Sequence, residues 1–306
     1  MNAVIQKMLG VIAGLTGEKP AGAYNIRVDG KSAGRASTEH IQIIPKQDNP
    51  GIDIYVAPGT KGEFVHIPVV VEQSGLVDLV YNDFYIGEDS DVQIVAGCGI
   101  HNDGLHLSQH DGIHTFHVGK NARVKYVEKH YGEGGGSGKR VLNPVTRVHL
   151  EEGSYLEMDT VQIEGVDSTD RVTEGTVGDG ATLVVHEKLM TSGTQTATTT
   201  FAVDLNGKGS SANITSRSVA KGESVQKFLS KIHGNNACMG HSECDAIIMD
   251  GAVVQAVPEI QAGHVDASLI HEAAIGKIAG EQIMKLMTLG LTYEQAESEI
   301  VNGFLK

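Results

Sequence analysis

The sequence predicts a mainly β protein built as a parallel β-solenoid, with one short helix at its start and two helices at its end. Three observations predict this fold: a motif that recurs about every thirty residues, a period-two strand after each copy, and a composition rich in glycine. Aromatic residues make up 5% of the chain, tryptophan is absent, and glycine occurs 38 times. Such a chain fills its core with aliphatic side chains and turns often.

The repeated motif is an apolar residue, a polar turn, a small residue and then alternating apolar positions. Its copies begin 32, 32, 27 and 28 residues apart, and each leads into a strand of period two. No helical pattern separates the copies, so each turn of a solenoid would cover the apolar face of the next. An antiparallel sandwich or a cupin-like barrel is the alternative, and the scarcity of hairpin-type Asn-Gly and Asp-Gly pairs favours the solenoid. The copies are Ile86–Val92, Val118–Val124, Leu150–Leu156, Val177–Leu183 and, in looser form, Leu205–Gly209.

Helical periodicity marks the two ends of the chain. Near the start, apolar residues three and four positions apart predict a short amphipathic helix rather than a signal peptide, since glycines interrupt the apolar run. After Ala267 the period changes to about 3.6, which predicts a helix ending at Gly290. A capping box at Thr292–Gln295 opens a second helix that runs through Ile300 and stops at Gly303. The expected parts are a helix at 1–20, a β region at 21–266 and a helical region at 267–306.

The charge balance limits the expected partners. The chain has 38 acidic and 24 basic residues, for a formal net charge of −14. A field of this sign repels phosphate backbones and anionic lipids, so neither nucleic acid nor a membrane surface is an expected partner. No apolar stretch has the length of a membrane span. Three cysteines, an odd number in a long chain, argue against a secreted disulfide framework, so we expect a cytoplasmic protein.

The first candidate site is a histidine-rich segment that begins at Cys98. Five imidazoles and one thiol, all ligand types for iron or zinc, lie within twenty residues. The spacing matches no known metal motif, because Asp111-Gly112 would interrupt a helix, and on a strand His114 and His117 point to opposite faces. A solvated turn leading into a strand is the alternative. The candidate metal ligands are His101, His110 and His114.

The second candidate site holds the other two cysteines. Cys238 and Cys244 are predicted to lie with His233 and His241 in a loop between strands. The gap between the cysteines differs from the spacing of zinc ribbons, so a closed four-ligand zinc site is not expected. Cys244 stands between two acidic residues, which favours a partly exposed thiolate that accepts sulfur or iron over a buried apolar side chain.

The third candidate site is the pair His271 and Glu272, at the predicted junction of the β region with the first C-terminal helix. At such a boundary both side chains could reach a common site, whereas an exposed helix N-terminus is the alternative. The sequence contains no Ser–His–Asp arrangement, nucleophile elbow or dinucleotide fingerprint. Taken alone, the residues indicate a β protein that handles metal or sulfur, without a named reaction.

The C-terminal third resembles the SufB/SufD family of iron–sulfur cluster assembly scaffolds. The His-Glu-Ala run that leads into Gly-Lys-Ile and Glu-Gln, and the terminal Val-Asn-Gly-Phe, are specific in combination. A weaker match lies around Gly97-Cys98 and His114, and together the similarity covers most of residues 90–306. The carrying segments are Asn236–Asp245, His271–Ile278, Glu281–Ile283, Leu289–Thr292 and Ile300–Phe304.

The resemblance implies a right-handed parallel β-helix, which agrees with the repeat, and assigns roles to particular residues. Cys244 is implied to hold the nascent cluster, which makes the chain a short, SufB-like form. His271 and Glu272 stand where the family has its cluster-site histidine and glutamate. Cys98 stands at the family's candidate cysteine for sulfur uptake.

The resemblance also implies partners and a role. A SufC-type ABC ATPase would bind the terminal helices and hydrolyse ATP, so the chain itself is expected to be a scaffold rather than an enzyme. It would carry a transient iron–sulfur cluster, bind iron, receive sulfur from a donor protein, and dimerise with itself or with a SufD-like subunit; a flavin is left open. The alternatives are a histidine-rich metalloprotein or metalloenzyme, and a structural solenoid adaptor. The expected ATPase-binding residues are Ile283, Leu286, Met287 and Phe304.

Overall fold

The computed structural model describes residues 2–17 and 19–306, with the backbone but not the side chain of Glu164. These residues form three helices and twenty strands. The helices are α1 (Ala3–Ala13), α2 (Gly280–Thr288) and α3 (Tyr293–Phe304). The strands are β1 (Ala23–Val28), β2 (Lys31–Ala36), β3 (Ile41–Pro45), β4 (Gly51–Val56), β5 (Lys61–Val71), β6 (Val77–Ile86), β7 (Asp91–His101), β8 (Ser108–Val118), β9 (Arg123–Glu133), β10 (Arg140–Leu142), β11 (Val145–Leu150), β12 (Tyr155–Glu164), β13 (Ser168–Val177), β14 (Thr182–Thr191), β15 (Thr196–Leu205), β16 (Ser211–Ala220), β17 (Val225–Gly234), β18 (Met239–Ile248), β19 (Val253–Ala262) and β20 (Ser268–Gly276).

The strands form two sheets, and the chain passes from one to the other at each half-turn. Sheet 1 has the order β2-β1-β5-β7-β9-β12-β14-β16-β18-β20. Sheet 2 has the order β3-β4-β6-β8-β10-β13-β15-β17-β19, with β11 also between β8 and β13. Within the described residues, the pairs β1–β2 and β3–β4 are antiparallel and the other pairs are parallel. The predicted β-solenoid is therefore confirmed, and the sandwich and the barrel are excluded.

The length of the sequence repeat is the number of residues in one turn of the solenoid. Lys125 and Glu157, 32 residues apart, lie side by side on neighbouring strands. Farther along the chain the same relation spans 27 to 29 residues. Each polar turn places one residue in the left-handed region, with φ between 54° and 73°, which suits glycine, asparagine and aspartate. These residues are Gly59, Asp89, Asn121, Gly153, Gly180 and Gly209.

The short N-terminal helix α1 covers the outer face of sheet 1 at β5, β7 and β9. Ile5, Met8 and Ile12 are buried, as their spacing predicts. A Cβ on Gly97 would lie 2.7 Å from the Ile12 carbonyl oxygen, and one on Gly99 would lie 2.6 Å from Met8 Cε. Glycine on β7 therefore lets the helix approach the sheet closely.

The two C-terminal helices are confirmed, with different bounds. Thr292 and Gln295 form the predicted capping box, with N–O distances of 2.9 and 3.2 Å. The helix α3 continues through Gly303, because Val301 and the residues after it pack against the ends of the strands around Val219. Among the described residues, no helix combines the length and the hydropathy needed to cross a membrane.

Two predictions of local structure are wrong. Residues 268–276 form β20 and not the start of a helix, and α2 begins only at Gly280. This segment pairs along β18 as the last strand of sheet 1, and because most of its residues are exposed, they show no clear period-two pattern. His241 and Cys244 lie within β18 rather than in a loop, because the turn that precedes this strand ends before Met239.

Candidate functional site

Cys244 and His271 point into the interior at the C-terminal end of the solenoid. They lie on the neighbouring strands β18 and β20, where Cys244 is paired with Ala273 and His271 with Ser242. Cys244 is only 1% exposed, whereas His271 is half-buried because β20 is the edge strand. The His271 Nδ1 atom lies 3.4 Å from Ser242 Oγ. The structure thus brings the thiol and the imidazole to one face, two residues out of register.

Glu272 lies on the opposite face of β20, because successive residues of a strand alternate. Its register partner is Glu243, and its Oε2 atom lies 3.7 Å from His241 Nε2. The predicted junction at which His271 and Glu272 reach a common site does not occur, since both lie within β20. The structure therefore separates this carboxylate from the inner-face pair.

The Cys244 thiol and the His271 imidazole differ in whether they must lose a proton before they can bind a metal ion. Burial, together with the negative charge of Glu187, raises the pKa of the Cys244 thiol to about 12. Burial and the nearby His241 lower the pKa of His271, which keeps this imidazole neutral at neutral pH. The imidazole is already a competent metal ligand, whereas the thiol must first lose its proton.

A chain of buried polar side chains leads from Cys244 toward the middle of the solenoid. Ser216 is the register neighbour of Cys244 on β16, and its Oγ donates to Glu187 Oε2 at 2.7 Å. Thr199, on sheet 2, donates to Glu187 Oε1 at 2.9 Å. The Nε atom of Arg171 lies 3.6 Å from the same oxygen. This carboxylate therefore links the two sheets across the interior.

The chain of polar groups continues from Arg171 to a second carboxylate. Arg171 Nη1 donates to Glu128 Oε2 at 2.6 Å, and Nη2 donates to His130 Nδ1 at 2.9 Å. Glu128 Oε1 accepts from the Tyr126 hydroxyl at 2.8 Å, and that hydroxyl lies 2.9 Å from His114 Nδ1. These five side chains belong to residues that are at most 5% exposed. One buried guanidinium thus faces two buried carboxylates, an arrangement in which each charge needs its partners.

Cys98 lies beside the far end of this network. Its register neighbour on β9 is His130, and Cys98 itself is 6% exposed. Burial, together with the charge of Glu128, raises the pKa of the Cys98 thiol well above its usual range. Both cysteines of the predicted site therefore face one interior, and buried polar side chains from His130 to Ser216 lie between them.

The three histidines predicted to bind metal have separate partners. His101 ends β7 and contacts two carboxylates, whereas His110 and His114 are buried within β8 and not in a solvated turn. Among the described residues, one group of three or more potential ligand atoms lies within 4.8 Å, and it does not include these histidines. The partners are Glu133 and Asp103 for His101, Asp78 for His110, and Tyr126 and Asn82 for His114.

The residues predicted to bind the ATPase divide into buried and exposed members. Ile283 is 6% exposed, Leu286 is half-buried, and Phe304 packs against the end of the solenoid. Met287, in contrast, is 43% exposed. Three residues close to it in sequence are also exposed and apolar, and we call these four side chains the terminal apolar surface. Its members are Met284, Met287, Leu289 and Tyr293.

Sequence reasoning missed the interior network, although a signal for it exists. Glu128 follows Val124 and Tyr126 at period two, and this alternation places its carboxylate on the buried face. Glu187 follows Leu183 in the same way on β14. A charged residue at a buried strand position needs a buried partner, so the pattern itself indicates an interior ion pair.

The fold and the site together define a class of protein: a two-sheet β-solenoid with buried cysteines beside a network of buried polar side chains, and a helical C-terminus. The family model described as SUF system FeS cluster assembly, SufBD core domain, matches residues 69–304. Because this match covers most of the chain, the chain belongs to the SufBD family of iron–sulfur cluster assembly proteins.

Curated relatives are similar over most of the chain, and each is named an iron–sulfur cluster assembly SufBD family protein. The relative from Archaeoglobus fulgidus is 28% identical over 271 residues, which cover 88% of this chain and 71% of that protein. One from Methanothermobacter thermautotrophicus is 28% identical over 83% of this chain and 62% of its own length. One from Pyrococcus horikoshii is 27% identical over 90% of this chain and 84% of its own length. The chain thus spans less than two thirds of some relatives and more of others.

Proposed function

We propose that this chain is a scaffold of the SUF machinery on which a labile iron–sulfur cluster is built. The observation that carries the proposal is the placement of Cys244 and His271 on one inner face, beside the open end of the solenoid. Clusters are held ordinarily by four thiolates, and imidazole replaces thiolate in some of them. A chain that supplies one thiolate and one imidazole holds a cluster incompletely, which suits a scaffold that releases its product.

A second copy of the chain is the proposed source of the missing ligands. The edge strands β19 and β20 end the two sheets, and in the described part of the chain their outer edges pair with no further strand. Unpaired strand edges favour pairing with another chain. Val253, Val257 and Ile270, which are 53%, 40% and 51% exposed, add apolar surface there. Such a dimer would place two Cys244–His271 pairs at one interface, and a SufD-like subunit is the alternative occupant.

The terminal apolar surface is the proposed binding site for a SufC-type ABC ATPase, which would hydrolyse ATP while this chain performs no catalysis itself. Ile283 and Phe304, in contrast, stabilise the helices against the solenoid. Residues 277–279 join β20 directly to α2, so a movement of this helix would be transmitted to the strand beside Cys244. Sulfur would reach Cys98 from a donor protein, and the polar interior between the two cysteines supports transfer toward Cys244. We also propose that cluster assembly on this chain takes place in the cytoplasm.

Anaerobic reconstitution of the full chain with Fe³⁺, sulfide and a thiol reductant, which reduces part of the iron, tests the cluster assignment. We expect visible charge-transfer absorption and bound iron and sulfide, with all three lost in Cys244→Ala and reduced in His271→Ala. Cys238→Ala is the matched control, because Cys238 is also buried, at 4% exposure, and belongs to the same apolar cluster as Cys244, but has no proposed role as a ligand. Wild-type iron and sulfide contents in Cys244→Ala would show that the cluster is bound elsewhere.

A further inference from the structure

A group of potential metal ligands lies on the outer face of sheet 1, away from the interior site. Glu157 and Asp159 lie on one face of β12, and His186 of β14 is the register partner of Asp159. One ligand atom from each of the three lies within 4.8 Å of the other two. Of the His, Cys, Asp and Glu side chains that the structure describes, no other three come together in this way.

The solenoid produces this arrangement directly. Residues two apart on a strand share a face, and neighbouring strands are about 4.8 Å apart, so a side chain on the next turn falls beside them. The Glu157 and Asp159 side chains are 27% and 32% exposed, and His186 is half-buried. Beside the site, a groove of about 330 Å³ is lined by Asp159 and His186, by Thr215, Glu187 and Glu243, and by three cationic residues, Lys188, Arg217 and Lys306. This groove leaves room for water molecules to complete the coordination of an ion.

A cationic group already lies between the two carboxylates. Lys125 Nζ is 2.9 Å from Glu157 Oε1 and 3.2 Å from Asp159 Oδ2. Its side chain is 46% exposed, so the ammonium can move into solvent without disturbing the sheet. The carboxylates therefore attract a cation at this position, and a metal ion would compete with the ammonium for the same oxygens.

We propose that Glu157, Asp159 and His186 bind a divalent first-row transition-metal ion. Two carboxylate oxygens and an imidazole nitrogen suit Fe²⁺, Mn²⁺ or Zn²⁺, whereas soft ions such as Cu⁺ prefer sulfur ligands. Within the proposed function, on which this step rests, the ion is Fe²⁺ bound before it enters a cluster.

The position of the site relative to Cys244 supports this role. The site faces outward from β14, and Cys244 faces inward from β18 with β16 between them, about 10 Å across the sheet. Glu187, which directly follows His186, faces inward and contacts Ser216 beside Cys244. The site therefore lies close to the proposed cluster ligands, yet its own ligands include no thiolate that would begin cluster chemistry.

Titration of the anaerobic full chain with Co²⁺ and with Fe²⁺ tests the site, in a Cys244→Ala background that removes the cluster ligand. We expect one ion per chain and a Co²⁺ spectrum with d–d bands and without thiolate charge transfer. The substitutions Glu157→Gln, Asp159→Asn and His186→Gln together should weaken binding at least about tenfold. Lys125→Gln should strengthen binding, because the ammonium no longer competes.

The matched control removes the same three residue types from the outer face of sheet 2. There Asp204 and Glu259 lie 3.0 and 3.5 Å from opposite ring nitrogens of His233, so the three cannot share one ion. Asp204→Asn with His233→Gln and Glu259→Gln should leave the affinity unchanged. Equal losses of metal affinity in the two triple variants would refute the site. Unchanged affinity in the variant with Glu157, Asp159 and His186 replaced, together with wild-type thermal unfolding, would refute it as well. Intact metal binding beside failed reconstitution on Cys244 would instead refute the proposed function alone.

Discussion

Cys98 and Cys244 face the same interior, yet the solenoid encloses them in different ways. Cys98 lies on β7 in the first half of sheet 1, with strands on both sides and α1 across the outer face. Cys244 lies on β18, where only β20 separates it from the end of the sheet. Static exposure does not show this difference, since the values are 6% and 1%. Access to a buried group depends on how many structural elements must move to expose it. At Cys244 one edge strand must move, whereas at Cys98 several packed elements must move.

The largest expected effect concerns the charged network near Cys98. Arg171→Met leaves Glu128 and Glu187 buried without their cation, which should lower the free energy of unfolding by about 3–5 kcal/mol. Urea unfolding at neutral pH measures the change. Arg147→Met is the control, because Arg147 is 47% exposed and pairs with Glu174 at the surface, where a loss of at most about 1 kcal/mol is expected. Equal losses would mean that the interior network does not hold this half of the solenoid together.

Local sequence patterns predict some parts of the solenoid and not others. The length of the turns and their left-handed positions, such as Asp89 and Asn121, are local features, and the repeat predicts them. The strand at 268–276 does not follow from the sequence because most of its residues are exposed, so the contrast between buried and exposed positions that reveals period two is weak there.

The candidate site was also predictable only in part, because local sequence patterns do not specify contacts between distant strands. Resemblance indicated His271 and Glu272 together, but their separation follows from strand alternation once β20 is known to be a strand. The contact of Arg171 with Glu128 joins the two sheets and depends on which turns oppose each other, which no local pattern specifies.

The second effect is a pH dependence centred on His114, on the Cys98 side of the network. Burial lowers the pKa of His114 to about 4, although the charge of Glu128 opposes the shift. The unfolded chain therefore takes up this proton at higher pH than the folded chain. Stability is complete above the usual histidine pKa of about 6.5 and falls by about 3 kcal/mol as the pH approaches 4.

Urea unfolding between pH 7 and pH 4 compares His114→Gln with the wild type. The variant should lose less stability over this range, because its amide does not titrate. His117→Gln is the control, since His117 lies on the outer face of the same strand and stacks on Tyr85 at 5.0 Å. If the His114 and His117 variants followed the same pH profile, the buried imidazole would not be the source of the dependence.

A smaller effect tests the helix that covers the outer face near Cys98. Gly97→Ala introduces a Cβ 2.7 Å from the Ile12 carbonyl oxygen, so α1 must shift or detach at a cost of about 1–3 kcal/mol. Gly276→Ala, at the end of β20, is the control because no atom lies within 4 Å of its Cβ. Thermal unfolding and proteolysis of the N-terminal segment measure the two changes. A harmless Gly97→Ala would show that the helix contributes little to the enclosure of Cys98.

The smallest effect separates the two cysteines directly, through the rates at which they are alkylated in single-cysteine variants that lack Cys238. Detachment of β20 alone exposes Cys244, whereas Cys98 requires a larger opening, so Cys244 should react about tenfold faster under native conditions. Its rate should change little with low urea, while the rate for Cys98 should rise steeply because more surface is exposed on opening. Gly97→Ala should accelerate labelling at Cys98 alone. Equal rates with the same urea dependence would mean that one cooperative opening of the solenoid exposes both thiols. Detachment of the edge strand would then not expose Cys244 separately.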